Sequence, residues 1–282
     1  MTISAFKKYF NTALSDLYTE SESAFLSSLF LHKITGFDHF QQRKFSDQEL
    51  LTDDEKQLNH LISALKTGRP YQQILGETEF YGMKFFVDEN VLIPRPETEE
   101  LLEMAIREIQ HSGLTGQGIK ILDIGTGSGV IPLVLKKHFP GAEVSSIDFS
   151  AKALETAKKN ADFHQLAIEL IHADYLTFEL SEAYDVIISN PPYIGIEEEI
   201  EIADSVKDFE PKMALFSPTS DALIFYRKIA EDSKKHLKDH GLLFLEINQK
   251  LGPETLDLYH FFSKAELLKD LSENDRFIYG SK

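Results

Sequence analysis

The residues best equipped for chemistry are Asn190-Pro191-Pro192-Tyr193, which close the apolar run Tyr184-Asp185-Val186-Ile187-Ile188-Ser189. That run is short, β-branched and bounded by polar residues, so it predicts a buried strand. Two prolines then forbid any continuation of the strand's hydrogen-bond ladder. A side-chain amide followed by a backbone carbonyl fixed by proline offers two acceptors in a rigid arrangement. That arrangement suits the holding of an N–H2 group, and open α/β sheets place their ligands at such strand ends. Asn and Pro are also ordinary turn residues, so the stretch needs company to count as a site.

Three other strand ends supply it. Ile121-Leu122-Asp123-Ile124 runs into Gly125-Thr126-Gly127-Ser128-Gly129. This G-x-G-x-G spacing is neither the dinucleotide fingerprint nor the lysine-bearing phosphate loop. Its glycines let a ligand approach the backbone, and a turn without lysine or arginine is poorly suited to a triphosphate. Asp148 ends Val144-Ser145-Ser146-Ile147-Asp148 about twenty residues further on, where a carboxylate can accept hydrogen bonds from both hydroxyls of a ribose. It could also cap the helix that starts near Ser150. Asp174-Tyr175 follow Ile168-Glu169-Leu170-Ile171, and an acid beside an aromatic suits an adenine ring. His236 and His240 have the i, i+4 spacing of metal ligands, but no third ligand is near and a helix end favours cations anyway. No metal site is expected.

Strand ends of this kind belong to a parallel sheet with crossover helices. Helical periodicity marks Leu101 to Ile109, Ala153 to Lys158 and Ala222 to Leu237, and Leu242 to Ile247 is a fifth strand. Two apolar segments around Ser272-Glu273-Asn274-Asp275, between Ser263 and Gly280, predict an antiparallel hairpin at the far edge. The acidic run Glu197 to Glu201 reads as a solvated helix face. Upstream, Ile3, Phe6, Phe10, Ala13, Leu14 and Leu17 recur at helical spacing, followed by Phe25, Leu26, Leu29 and Phe30. Capping-box spacing at Ser46 to Glu49 and at Thr52 to Glu55 predicts two further helix starts. Leu58, Leu61, Ile62 and Leu65 form the face of the last one, and Gly68 stands beyond its end. Phe80 to Val87, broken by Gly82, predicts a hairpin, and Pro94-Arg95-Pro96 a stiff connector. The expected organisation is a helical bundle over 1–67, a hairpin and connector over 68–96, and an α/β domain over 97–282.

The chain has 282 residues, 42% hydrophobic and 27% charged, which is long for one core and favours two domains. Its net charge is −17, without a basic stripe. That argues against nucleic acid as a direct partner, since phosphate contacts dominate such binding. The absence of cysteine excludes disulfides, thiolate metal sites and a cysteine nucleophile. No apolar run is long enough to span a bilayer, and residues 1–18 lack the apolar core of a signal peptide. A cytoplasmic location away from membranes is expected.

The glycine turn, ribose acid, adenine-side acid and Asn-Pro-Pro-Tyr at successive strand ends resemble the class I S-adenosylmethionine-dependent methyltransferases. Leu92-Ile93-Pro94-Arg95-Pro96-Glu97-Thr98-Glu99 resembles the interdomain signature of the release factor glutamine methyltransferases. So do Tyr71-Gln72-Gln73-Ile74-Leu75-Gly76, Glu79-Phe80-Tyr81-Gly82, Phe209-Glu210-Pro211 and Glu246 with Gln249. Ser217-Pro218-Thr219-Ser220-Asp221 departs from the family, which often carries a glycine there, and only local loop consequences are expected. The resemblance implies a helical bundle plus a Rossmann-like, seven-stranded, mostly parallel sheet. It implies S-adenosylmethionine bound by Gly125, Thr126, Gly127, Ser128, Gly129, Asp148, Asp174, Tyr175 and Asn190. It implies a monomer acting on class 1 peptide chain release factors, at the glutamine of their Gly-Gly-Gln loop. Asn190, Pro191 and Tyr193 would carry the transfer, with Pro192 beside them, and Tyr193 and Phe80 would wall the substrate pocket. The rival enzyme, a base-amino methyltransferase acting on nucleic acid, shares Asn-Pro-Pro-Tyr but suits the acidic charge poorly. An adenosylmethionine-binding scaffold without catalysis is the non-enzymatic alternative, against which Asn190 and Tyr193 both stand intact.

Overall fold

A computed structural model describes residues 1–114, 117–195 and 204–282. The acidic run Glu197 to Glu201 therefore lies outside the described residues. The chain divides into two compact units. The first holds Met1–Gly76 with Asp204–Phe209, and the second holds Glu77–Ala203 with Glu210–Lys282.

The first unit is helical: α1 (Ile3–Leu14), α2 (Glu20–Thr35), α3 (His39–Lys44), α4 (Thr52–Leu65) and α5 (Tyr71–Leu75). Phe6, Phe10, Phe30, Leu58, Ile62 and Leu65 form its core, as the apolar periodicity requires. Its capping differs from the sequence expectation. The reciprocal capping boxes are at Thr19 with Glu22 and at Asp38 with Gln41. Ser46 starts no helix, because its carbonyl and that of Gln48 accept the free N–H groups of Ser4 and Ile3 at the start of α1. Thr52 is already inside α4, whose cap residue Leu51 makes no side-chain bond.

The second unit opens with a hairpin of β1 (Glu77–Phe80) and β2 (Met83–Phe86). Tyr81 and Gly82, both at positive φ, form its two-residue turn. Then come α6 (Pro96–His111), β3 (Lys120–Ile124), α7 (Val130–His138), β4 (Glu143–Asp148), α8 (Ala151–His164), β5 (Glu169–His172) and β6 (Tyr184–Ser189). A short α9 (Asp204–Phe209), which groups with the first unit, and α10 (Lys212–Leu215) precede α11 (Ile224–His236), β7 (Leu237–Glu246), α12 (Gly252–Asp257), β8 (Lys264–Lys269) and β9 (Asp275–Ser281). The seven-stranded sheet runs β5-β4-β3-β6-β7-β9-β8, parallel except for β9, which runs antiparallel to both its neighbours. Strand residues alternate between its faces. Ile121, Val186, Ile188, Leu242 and Phe244 pack on one side with residues of α6 and α7. Leu122, Ile124, Ile187, Leu243 and Leu245 pack on the other with Tyr226, Ile229 and Tyr259. The mostly parallel α/β sheet expected from the sequence is thus present, with the β8–β9 hairpin at its edge.

Candidate functional site

Strand register builds the site. Ile124 pairs with Ile147 on one side and with Ser189 on the other, and Ser189 pairs with Leu245. The next residue on each strand is therefore Asp148, Gly125, Asn190 and Glu246, a row across four neighbouring carboxyl ends. The row straddles the point between β3 and β6 where the strand order reverses, the place where open α/β sheets bind ligands. A cavity of about 500 Å³ opens there. Gly125, Thr126, Gly127, Ser128, Asp148, Asp174, Tyr175, Asn190, Pro191 and Pro192 all line it.

The glycine turn takes its shape from backbone demands. Gly125, Gly127 and Gly129 have φ of 89°, 53° and 84°, values that favour glycine. A Cβ on Gly125 would lie 3.4 Å from the Asn190 carbonyl oxygen, and one on Gly129 would lie 3.1 Å from the Ala157 Cβ. Gly129 lies outside the cavity lining and instead lets α7 pack close to α8. At Gly127 there is open space.

Asp148 is tied to this turn. Its Oδ2 accepts the Gly127 N–H and its Oδ1 the Ser150 N–H, each at 2.8 Å. Each oxygen keeps a lone pair for a further donor. Burial pushes its carboxyl above the ordinary carboxylate range, against the pull of those two amides. The helix cap at Ser150 is made by the Ser150 hydroxyl itself, which accepts the Ala153 N–H. Behind the turn, burial pushes the Asp123 carboxyl up to about 7, and the Ser146 hydroxyl donates to it at 2.5 Å.

Asp174 is exposed and accepts the Leu176 N–H on one oxygen. Tyr175 is buried, and its hydroxyl donates to Asp232 at 2.8 Å. Only its ring is left to face the cavity.

Asn190 is held from behind. Its Nδ2–H donates to the Thr98 hydroxyl at 3.1 Å, and Thr98 donates in turn to Glu246 Oε2 at 2.7 Å. Thr98 is placed by the first turn of α6, where Pro96 fixes the helix start. The segment leading into α6 is fixed by Glu210, which accepts the Ile93 N–H at 3.0 Å and pairs with Arg95 at 2.5 Å.

Besides Gly129, two expectations need correction. Phe80 does not wall the cavity. It is 2% exposed and meets Phe85 edge-on, with 6.1 Å between ring centroids, because strand alternation turns it into the core. Tyr193 is not among the cavity-lining residues either. Its chain turns back over β7, where its hydroxyl lies 3.4 Å from Glu246 Oε1 and Asn248 Nδ2 donates to its carbonyl.

Other residues of the site escaped the sequence reading. Phe149, 61% exposed beside Asp148, lines the cavity, as do Val91, Ala153, Met213 and Phe225. The signal for Phe149 is a large apolar residue directly after a strand-end acid. For the others the sequence carries no distinguishing signal.

The methyltransferase small domain family matches residues 103–206. The release factor glutamine methyltransferase of Flavobacterium psychrophilum is 43% identical over 99% of this chain and 98% of its own length. That of Bacteroides thetaiotaomicron is 34% identical over 97% of this chain and 98% of its own. Among solved structures, a 16S rRNA N2 G1207 methyltransferase from T. thermophilus, determined with AdoMet and guanosine, superposes with a TM-score of 0.51. It is 20% identical, over 73% of this chain and 49% of that one, and so shares the fold alone.

Proposed function

The chain belongs to the release factor glutamine methyltransferase family, and on that premise we propose that it methylates the glutamine side-chain amide nitrogen in the Gly-Gly-Gln motif of class 1 peptide chain release factors, with S-adenosylmethionine as donor. The observation that carries this reading is the arrangement of Asn190, which lines the cavity while its NH2 group is engaged by Thr98. Its oxygen is thereby left as an acceptor for a substrate N–H.

The cavity residues suit the donor. Asp148 keeps two lone pairs for a ribose diol, Gly127 leaves open space against the backbone, and Asp174 with the Tyr175 ring and Phe149 offers polar and aromatic surface for a base. Bound there, S-adenosylmethionine would supply a methyl group already activated by its sulfonium and would leave as neutral S-adenosylhomocysteine, the methyl–sulfur bond breaking as the new N–C bond forms.

What the chain must add is control of a poor nucleophile, because the amide lone pair is delocalised into the carbonyl. The Asn190 side-chain oxygen and the Pro191 carbonyl each accept one N–H of the substrate amide. Held by both in-plane hydrogens, the nitrogen presents its face, where the lone pair lies. Such orientation supplies several kcal/mol, up to about 7–11 in ideal intramolecular cases. The same two acceptors stabilise positive charge as it grows on nitrogen while the new N–C bond forms. The nitrogen then loses a proton to solvent readily, because alkylation has made it acidic, so no strong base is needed. Tyr193 contributes by fixing the turn after Asn190 rather than by touching the substrate. The net charge of −17 favours a protein over a nucleic acid as substrate.

The helical unit, Met1–Gly76, contains none of the cavity residues and exposes Tyr9, Phe25 and Phe40. It serves in this reading to recognise the release factor away from its glutamine.

Asn190→Ala tests the acceptor role directly. Single-turnover methylation should slow by about 10²–10³-fold, as when one oriented polar group is deleted from an active site. Affinity for the donor should fall much less. Transfer at close to the wild-type rate would remove Asn190 from the chemistry.

A further inference from the structure

Glu246 is a buried carboxylate to which methyl transfer itself gives no task. It is 2% exposed and ends β7, next in register to Asn190. Its Oε2 accepts the hydroxyl of Thr98, itself only 3% exposed, and the Thr98 oxygen accepts the Asn190 Nδ2–H. Each donor in this series dictates the next. An ionised carboxylate only accepts, so Thr98 must donate to it. A hydroxyl that has given away its one hydrogen meets Asn190 as an acceptor. The Asn190 amide must then turn its NH2 toward Thr98 and its oxygen the other way. The two ends of a side-chain amide are nearly equal in size, so packing alone would distinguish them poorly.

We infer that Thr98 and Glu246 are positioning residues for the transfer, and that the series Glu246–Thr98–Asn190 keeps the oxygen of Asn190, not its NH2, toward the substrate amide. This rests on the proposed acceptor role of Asn190. A reversed Asn190 would meet the substrate N–H2 with donors and repel it.

The polarity of the series depends on the charge of Glu246, whose carboxyl burial pushes up to about 7. Thr98 and Glu97 face it from α6, Arg276 from β9, and Tyr193 from the turn after β6. The Tyr226 hydroxyl, from α11, donates to its backbone carbonyl at 3.1 Å. Arg276 favours the charged form and Glu97 opposes it. Below about pH 7 the protonated acid can donate to Thr98, whose hydrogen is then released toward Asn190, and the reversed amide is favoured. The transfer rate should therefore rise as pH increases through about 7.

The test uses the full chain with S-adenosylmethionine and a class 1 release factor, in single turnover, for Thr98→Val, Thr98→Ser, Glu246→Gln, Asn190→Ala and the double variant Thr98→Val/Asn190→Ala. Thr98→Val should slow transfer roughly 10- to 100-fold, with the donor's dissociation constant changed by no more than about twofold. Thr98→Ser should restore most of the rate. The double variant should be no slower than Asn190→Ala alone, because one residue acts through the other. Glu246→Gln should lack the rise through pH 7.

Several results would overturn the inference. One is wild-type transfer by Thr98→Val while Asn190→Ala is slow, which breaks the link but spares the acceptor role. Another is multiplicative losses in the double variant, or lost donor affinity in Thr98→Val, either of which assigns Thr98 a different task. Near-wild-type transfer by Asn190→Ala would overturn both the inference and the acceptor role. Should Thr98→Val fail to fold, the pH profile of Glu246→Gln decides, and a retained rise through pH 7 counts against the inference.

Discussion

Asp148 does two things with one carboxylate. It closes the glycine turn by accepting the Gly127 N–H, and it leaves a lone pair on each oxygen facing a cavity. Asp148→Ala should weaken S-adenosylmethionine binding by about 1.5–3 kcal/mol for each charge-assisted hydrogen bond lost. Calorimetry measures this, and unchanged affinity would reduce Asp148 to a structural clasp of the turn. At this scale the sequence was most legible where a residue ends a strand. Position after a strand determined that Gly125, Asp148, Asp174 and Asn190 would reach one cavity. It could not show which way Phe80 faces, since Phe80 lies at the end of a short hairpin strand beside a two-residue turn. Nor could it show that Tyr193 bends toward β7, because a turn after two prolines has no periodicity to read. Thr98 and Glu246 are 148 positions apart, and only the folded sheet brings them to Asn190.

Among the elements, the β3–α7 turn constrains side-chain size through backbone conformation and helix packing together. Gly129 starts α7 at φ 84°, and a Cβ there would press on Ala157 of α8 and Leu133 of α7. Gly129→Ala should destabilise the protein by roughly 2–4 kcal/mol, from left-handed strain plus overpacking. Gly127→Ala, at φ 53° with open space around it, should cost only the strain, about 1–2 kcal/mol. Denaturant midpoints compare the two, and an equal loss would mean that packing of α7 against α8 is not what selects Gly129. Long helices were readable from their periodicity, and the central strands β3, β6 and β7 from their apolar runs, because the sheet is buried on both faces there. Helix starts in the first unit were less readable. The spacing at Ser46 to Glu49 fits a capping box, yet its carbonyls serve the start of α1 instead. Local spacing carries no information about a partner more than forty residues away.

For the whole molecule, the division into two units separates chemistry from the proposed recognition. A chain beginning at Glu77, provided that it folds, should bind S-adenosylmethionine with near-native affinity and methylate release factor with a much lower kcat/KM. Equal catalytic efficiency in the short and full chains would remove recognition from the helical unit. The identity of the acceptor atom separates a release factor methyltransferase from a base-amino methyltransferase. The full chain is to be incubated with methyl-labelled S-adenosylmethionine and a purified class 1 release factor, and separately with ribosomal RNA and duplex DNA. The labelled product is then fragmented to locate the methyl group. The expected result is one methyl on the side-chain amide nitrogen of the Gly-Gly-Gln glutamine, with none on nucleic acid. Label on a different protein residue, or on a nucleic-acid base alone, would contradict it.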